Sequence, residues 1–112
     1  MTDRLLRHLP LTEATYYILL ALIEPLHGYG VMQKVEQLSD GQVSVGPGTL
    51  YGAFAALEKD GLIVKVAEVE RRKSYALTAL GRQVLLAQLA RLQVMTRRGA
   101  EAASRLKSPQ SK

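Results

Sequence analysis

The sequence predicts a mainly helical fold with one small β-hairpin, and three patterns lead to that class. The run GPGTLYGAFAALEKDGLI, residues 46–63, begins with a Gly-Pro pair that suits the start of a helix. Near its end, Gly61 can close that helix, and the residues that follow are β-branched and suit a strand. The stretches LIVKVAEV and KSYALT share this β-branched character on either side of a charged turn, which indicates a two-stranded hairpin. Two apolar helical patterns precede the first run, and one long pattern follows the hairpin.

The first predicted helix begins at Thr12, whose hydroxyl makes it a good N-cap. Glu13 follows in the first turn, where the helix dipole favours a negative charge. Pro25 predicts the end of this helix, since proline cannot continue one. Its apolar positions are Tyr16, Ile18, Leu19, Leu22 and Ile23.

The second predicted helix follows a turn at His27 and Gly28 and finishes at Ser39 to Gly41. Helical spacing predicts one buried face and one outer face. The loop from Gln42 to Val45 alternates polar and apolar residues, which is compatible with a short extra strand. The predicted buried face consists of Tyr29, Met32, Val35 and Leu38, and the outer face carries Gln33, Lys34 and Glu36.

The third predicted helix has well-marked ends. Gly46 can serve as its N-cap, Pro47 suits the first helical position, and Gly61 offers the left-handed residue that closes a helix. A tyrosine at position 51, exposed in the first turn, indicates a binding partner. Helical spacing buries Leu50, Phe54 and Leu57 and leaves Thr49, Tyr51, Gly52 and Lys59 outside.

A long helix is predicted after the hairpin, with Thr78 as its cap. If it continues to about Leu106, it spans roughly 40 Å at 1.5 Å per residue, so it extends beyond the rest of such a small domain. Its apolar stripe then needs another surface, and a second copy of the same helix is the simplest one. The alternative is a helix folded back onto its own domain. The stripe contains Val84, Leu85, Leu89, Leu92 and Met95, of which the last four are assigned to dimerisation.

Together these elements predict a winged helix-turn-helix with a long C-terminal dimerisation helix. The predicted boundaries are an N-terminal extension at 1–10, a winged DNA-binding domain at 11–77, a dimerisation helix at 78–106 and a flexible tail at 107–112.

Composition excludes several classes of function. The 112 residues are 47% hydrophobic and contain no cysteine, which fits one domain without disulfides or thiolate metal sites. His8 and His27 lack partners at metal-ligand spacing, and neither a catalytic constellation nor a P-loop is present, so we expect no enzyme, metal or cofactor. With no membrane span and no signal peptide in the sequence, we expect a cytoplasmic protein.

The net charge of +5 is unevenly distributed. Residues 1–60 hold four Lys/Arg against seven Asp/Glu, whereas residues 61–112 hold eleven against three. Arg71, Arg72 and Lys73 stand together at the predicted hairpin turn, where long cations could reach a phosphate backbone. A solvated turn that keeps the protein soluble explains the same triplet, and both interpretations stay open.

Three segments resemble, in order and spacing, the bacterial PadR-like transcriptional regulators. These are LTEATYYILLALIEPLHGYGVMQKV, GPGTLYGAFAALEKDGLI and RRKSYALTALGRQVL, which cover about residues 11–90. The resemblance implies a homodimeric DNA-binding repressor that a small molecule or stress signal releases. Two departures limit the transfer. Gly52 stands where many relatives have a proline after the tyrosine. The last helix has no tryptophan, so the aromatic drug-stacking pocket at the dimer interface of some relatives is not carried over.

By position, the resemblance assigns DNA contacts to the start of the third helix, to the second helix and to the wing. The third helix has no Arg, Asn or Gln after Gly46, so bidentate base contacts are unavailable on it and DNA shape or the wing must contribute more. The implied DNA-binding residues are Lys34, Pro47, Gly48, Thr49, Tyr51, Arg71, Arg72, Lys73 and Tyr75.

Two functions remain in competition at this point. The first is a repressor that binds double-stranded DNA as a homodimer, on an operator with inverted-repeat symmetry. The second is a winged-helix module that binds another protein, in which the basic hairpin is incidental. For a small-molecule effector, Tyr16, Tyr17 and Tyr29 could line a cavity between subunits, although aromatic residues on apolar helix faces are most often core.

Overall fold

The computed structural model describes residues 2–108, so the last four residues of the predicted tail lie outside the described part. Over that range the protein is mainly helical with a small antiparallel sheet, as the sequence predicts. In chain order the elements are α1 (Thr2–Leu6), α2 (Glu13–Ala21), β1 (Leu26–His27), α3 (Gly28–Leu38), α4 (Pro47–Lys59), β2 (Ile63–Val69), β3 (Arg72–Leu77) and α5 (Ala79–Lys107).

The sheet has three strands in the described residues, in the order β1-β3-β2, rather than the two of the predicted hairpin. Leu26 pairs with Tyr75 and His27 pairs with Ser74, so the segment before α3 covers one edge of β3. A two-residue turn joins β2 to β3, and Glu70 and Arg71 both have positive φ there, as a type I′ hairpin turn requires.

The second correction concerns the segment from Gln42 to Val45, which forms no strand in the described structure. The hydroxyl of Ser39 accepts a hydrogen bond from the Val43 amide and donates to the Val43 carbonyl, at 3.0 and 3.2 Å. Val45 is buried in the core. The backbone of this loop is therefore bonded to the end of α3 and is not free to pair with a strand.

Side-chain caps begin the helices where the sequence predicts them. Thr12 accepts from the amide of Thr15, and Thr78 accepts from the amide of Gly81. At the end of α4, Gly61 has a φ of +78°, which is the left-handed closing position. The end of α2 differs from the prediction, because Leu22 is already its C-cap and its carbonyl accepts from the Leu77 amide of β3.

The buried face of α3 agrees with the prediction only in part. Val35 is fully buried and Met32 packs against the core, as predicted. Tyr29 is 61% exposed and Leu38 is 40% exposed, whereas Val31 is fully buried. The orientation that α3 adopts places Gly28 under the side chain of Tyr51, so the choice comes from a tertiary contact.

The core lies between α2, α3, α4, the sheet and the first turns of α5. Leu50, Phe54 and Leu57 of α4 are buried there, as predicted. α1, at the predicted N-terminal extension, packs against α5. The side chain of Gln88 is 5% exposed, and its Oε1 accepts from the Leu11 amide at 2.8 Å. This bond ties the segment before α2 to the middle of α5.

α5 has 29 residues and extends well beyond the core, in a molecule whose longest dimension is 60 Å. Its first turns are buried, and Leu85 is only 8% exposed, so this residue belongs to the core of its own chain. Farther along, Leu89 is 39% exposed and Met95 is 65% exposed, while Leu92 is half-buried. Among the described residues, no helix combines the length and apolar character needed to cross a membrane.

Candidate nucleic-acid interface

A groove with a volume of about 520 Å³ lies where α3 and α4 begin and the β2–β3 hairpin passes. We call the hairpin, residues 63–77, the wing. The groove brings together five of the residues assigned to DNA contact from the sequence, three of them cationic. The residues lining it are His27, Gly28, Tyr29, Tyr51, Glu70, Arg71, Arg72, Lys73 and Tyr75.

Aromatic rings fix the floor of the groove. Tyr51 packs edge-on against Phe54 at 6.1 Å between ring centroids, and Phe54 packs against Tyr75 of β3 at 4.8 Å. Burial raises the pKa of Tyr75 above its ordinary value, and the negative charge of Glu58 raises it further. These contacts hold α4 against the wing, so the two elements present one surface.

The side chain of Tyr51 extends out of the core, and its hydroxyl group lies at the surface. The residue is 55% exposed, and a Cβ atom placed on Gly28 would lie 2.5 Å from the Tyr51 hydroxyl. Glycine at the first position of α3 therefore allows the tyrosine to lie across the start of that helix. The hydroxyl reaches the groove rather than the core, as the sequence predicts for an exposed tyrosine.

The cations of the wing come from the turn and the start of β3. Arg72 Nη1 lies 3.1 Å from His27 Nε2, and His27 Nδ1 accepts from the Gly30 amide at 3.2 Å. His27 therefore contacts both the start of α3 and the wing, and Arg72 remains exposed at the edge of the groove, within reach of an anion.

The start of α4 lies open to solvent beside this groove. Pro47, Gly48 and Thr49 are exposed, and the described structure shows no side-chain cap on the helix. The first amides of α4 can therefore bind an anion. α4 stays helical through Gly52, so the glycine that replaces proline does not break it. Lys34 is half-buried on α3 and is not among the residues that line the groove.

Four groove residues were not assigned to the site from the sequence. The sequence predicts a turn at His27, which is the N-cap of α3 in the structure, and its position beside Arg72 depends on the pairing of β1 with β3. The sequence predicts Tyr29 on the buried face. The available signal is the HGY run that opens this helix, where a cap, a small residue and an aromatic residue follow one another.

The residues assigned to dimerisation line two depressions between α2 and α5. Leu85 and Leu89 line one of about 240 Å³, together with Leu20 and Ile23 of the α2 region. Leu92 and Met95 line another of about 450 Å³. The first is almost wholly apolar at its surface except for Arg82, and the second includes Tyr16, Tyr17, Glu13 and Arg91. In the part of the chain that the structure describes, both depressions are open to solvent.

Solved structures with the same architecture include transcriptional regulators. RosR of H. salinarum is 25% identical, with 87% of this chain and 98% of that chain covered, and superimposes with a TM-score of 0.65. A PadR family transcriptional regulator from Eggerthella lenta is 26% identical, with 80% of each chain covered, and has a TM-score of 0.64.

A curated relative is 40% identical over 74 residues. It is an uncharacterized 37.1 kDa protein in transposon Tn4556 of Streptomyces fradiae. The match covers 65% of this chain but only 21% of the relative, so the chain spans about a fifth of that protein's length.

The model of the transcriptional regulator PadR-like family matches residues 18–87, which include α3, α4, the wing and the start of α5. The chain has the winged-helix fold of such regulators and a long C-terminal helix. It belongs to the PadR-like family of transcriptional regulators.

Proposed function

We propose that this protein is a homodimeric DNA-binding repressor, in which each groove between α3, α4 and the wing rests on the DNA backbone. The observation that carries the proposal is the groove itself, which Arg71, Arg72 and Lys73 line together with Tyr51, about one turn along α4 from an uncapped helix start. Cations, hydroxyl groups and helix-start amides are the groups that proteins use to bind DNA phosphates.

The start of α4 supplies the main contact with the major groove in this proposal. Its Pro47, Gly48 and Thr49 are exposed, and the Thr49 hydroxyl and the first amides can donate to phosphate oxygens. The exposed face of α4 carries no Arg, Asn or Gln, the side chains that most often read guanine and adenine by paired hydrogen bonds. Sequence preference then comes from DNA shape and from the wing. Lys34, half-buried on α3, is proposed as a weaker phosphate contact.

Dimerisation places two such grooves on one duplex. Leu89 and Met95 leave apolar surface in water, and the depressions that they line have room for side chains of a second α5. A two-fold dimer presents identical heads to half-sites about one helical turn apart, around 34 Å, so the operator is an inverted repeat. Release by a small molecule or stress signal completes the proposed repressor cycle.

The experiment compares two variants with the same change in charge. In the first, Arg71, Arg72 and Lys73 are replaced by glutamine. In the second, Arg97, Arg98 and Arg105 on the projecting part of α5 are replaced in the same way. We expect the first variant to bind genomic fragments about a hundredfold more weakly, and its salt slope to fall by about 1 for each phosphate that the wing no longer neutralises. The second keeps both the affinity and the slope within a small factor.

Two results would contradict the proposal. If the wild-type protein retains no genomic fragment at low salt, DNA binding is wrong and the protein-interaction module takes its place. If the wing variant binds DNA with unchanged affinity and unchanged salt slope, the wing does not contact phosphate. Sequencing of the retained fragments then identifies the operator.

A further inference from the structure

Tyr29 lies in the groove with most of its side chain in water, although it belongs to the helix before the recognition helix. The residue is 61% exposed and occupies the first turn of α3, directly after the buried Gly28. A large aromatic residue on an outer surface leaves apolar area in contact with water, which burial under a ligand would remove. Nothing in the family assignment accounts for this exposed ring.

The hydroxyl of Tyr29 has a defined orientation. Gln33 Nε2, one turn farther along α3, donates a hydrogen bond to Tyr29 Oη at 3.4 Å. The tyrosine oxygen acts as the acceptor in this bond, so its own hydrogen is available to a second partner. Gln33 thus occupies one acceptor site of the Tyr29 oxygen and leaves the O–H group free to donate to another partner.

The surroundings favour an anionic partner. Arg71, Arg72 and Lys73 line the same groove as Tyr29, and the Tyr51 hydroxyl lies against the start of α3. Glu70 is the acidic residue among those lining the groove, so positive charge exceeds negative charge there. Two tyrosine hydroxyls and three cations around one cavity match the oxygens of a phosphodiester backbone, which accept but do not donate.

We propose that Tyr29 donates a hydrogen bond to a DNA phosphate in this groove, and that Gln33 is the positioning residue that orients its hydroxyl. The inference rests on the proposed DNA-binding function and adds a contact from the first turn of α3, separate from that of Lys34, to those that hold the backbone. In this arrangement α3 and the wing contact the same strand region, while the start of α4 enters the major groove.

The test uses Tyr29→Phe and Gln33→Ala in the full chain, with Gln37→Ala as the matched control. Gln37 lies on the same helix as Gln33 and is exposed, but it lines neither the groove nor the depressions between α2 and α5. Affinity for a bound genomic fragment and for an unrelated duplex is measured over a range of salt concentrations. Circular dichroism and light scattering check the fold and the oligomeric state of every variant.

We expect Tyr29→Phe to weaken binding about tenfold on both duplexes, since the variant cannot form a hydrogen bond to a charged group. The salt slope stays unchanged because tyrosine carries no charge that displaces counterions, whereas neutralisation of the wing lowers it. Gln33→Ala gives a smaller loss of affinity in the same direction, and it gives little further loss when combined with Tyr29→Phe. Gln37→Ala binds as the wild type does.

Distinct results separate this inference from the proposed function. Wild-type protein that binds no duplex contradicts the DNA-binding function itself. Wild-type protein that binds DNA while Tyr29→Phe binds equally well contradicts the role of Tyr29 only. If Tyr29→Phe weakens binding to the genomic fragment but not to the unrelated duplex, Tyr29 contacts a base and the phosphate assignment is wrong.

Discussion

The winged head and the projecting part of α5 are stabilised in different ways. We define the head as residues 2–92 and the projecting helix as residues 93–107. In the head, helices and strands cover one another, and Leu50, Val84 and Ile63 are almost completely buried. In the projecting helix, Val94 is 46% exposed, Met95 is 65% exposed and Leu106 is 78% exposed.

This difference shows which part of the fold the chain completes by itself. The described contacts of the projecting helix include one exposed ion pair, Arg98 with Glu101 at 3.2 Å, and such surface pairs contribute little. Most helical stability in proteins comes from the packing of an apolar face rather than from helix propensity. The head meets that condition within one chain, whereas the described contacts of the projecting helix do not, and in the proposed dimer a second molecule supplies the missing surface.

The largest expected effect compares two glycines of the same helix. A Cβ atom on Gly81 would overlap the carbonyl oxygen of Leu62, which already accepts from the Thr78 amide, whereas one on Gly99 meets no described atom within 4 Å. We expect Gly81→Ala to lower the free energy of unfolding by about 3 kcal/mol. Gly99→Ala raises helix stability by about 0.5–1 kcal/mol. Urea denaturation measures both, and equal values would remove the contrast between head and projecting helix.

The second effect concerns association. We expect replacement of Leu92 and Met95 by glutamate to weaken the dimer by about a hundredfold or more, because it would bury unpaired charges. The control replaces Gln83 and Gln93, which are exposed on α5, by glutamate and so adds the same charge. Light scattering over a range of concentrations measures the dissociation. A wild-type protein that is monomeric at micromolar concentration would show that α5 needs no second copy.

The third effect tests the contact between α3 and α4 in the head. We expect Gly28→Ala to push the Tyr51 hydroxyl aside and to weaken DNA binding about fivefold, within the range of one hydrogen bond. A double-mutant cycle with Tyr51→Phe provides the control. If the change acts through the tyrosine, it has little further effect once the hydroxyl is absent. Additive effects would mean that Gly28 acts on DNA binding by another route.

The smallest effect is a pH dependence at the floor of the groove. Burial, followed by the charge of Glu58, raises the pKa of Tyr75 above the ordinary tyrosine value of 10.0. Tyr75 therefore holds its proton more tightly in the folded state, so its contribution is complete below pH 10 and is lost as pH rises through the folded-state pKa. Denaturation of the wild type and of Tyr75→Phe between pH 9 and 11 measures this, and we expect the variant to lose less stability.

Local chemistry allowed the helix starts and the hairpin to be predicted from sequence. Thr12, Thr78 and Gly61 act within a few residues of themselves, through a hydroxyl group or a backbone conformation that depends little on the rest of the chain. The buried residues of α4 followed from their spacing because Gly46 and Gly61 fixed both ends of that helix. The cations of the groove, Arg71, Arg72 and Lys73, were predicted because they form a run of positive charge at the hairpin turn.

The parts that were not predicted depend on long-range contacts. The third strand at Leu26–His27 exists because β3 lies beside it, and the two segments are about 50 residues apart in the sequence. The orientation of α3 depends on Tyr51, and the contact between Arg72 and His27 spans 45 positions. Local patterns contain no information about such partners.

The sequence by itself determined the class of fold, the ends of most helices and the identity of the basic turn. Caps, turn residues and apolar spacing act over one or two helical turns, so a single pass along the chain reveals them. Only the tertiary structure decided which face of α3 is buried, where the third strand lies, and that Tyr29 shares a groove with the wing. Those features depend on packing between elements that are distant in the chain. Several local arrangements are equally compatible with the sequence pattern, and the contacts with distant elements select one of them.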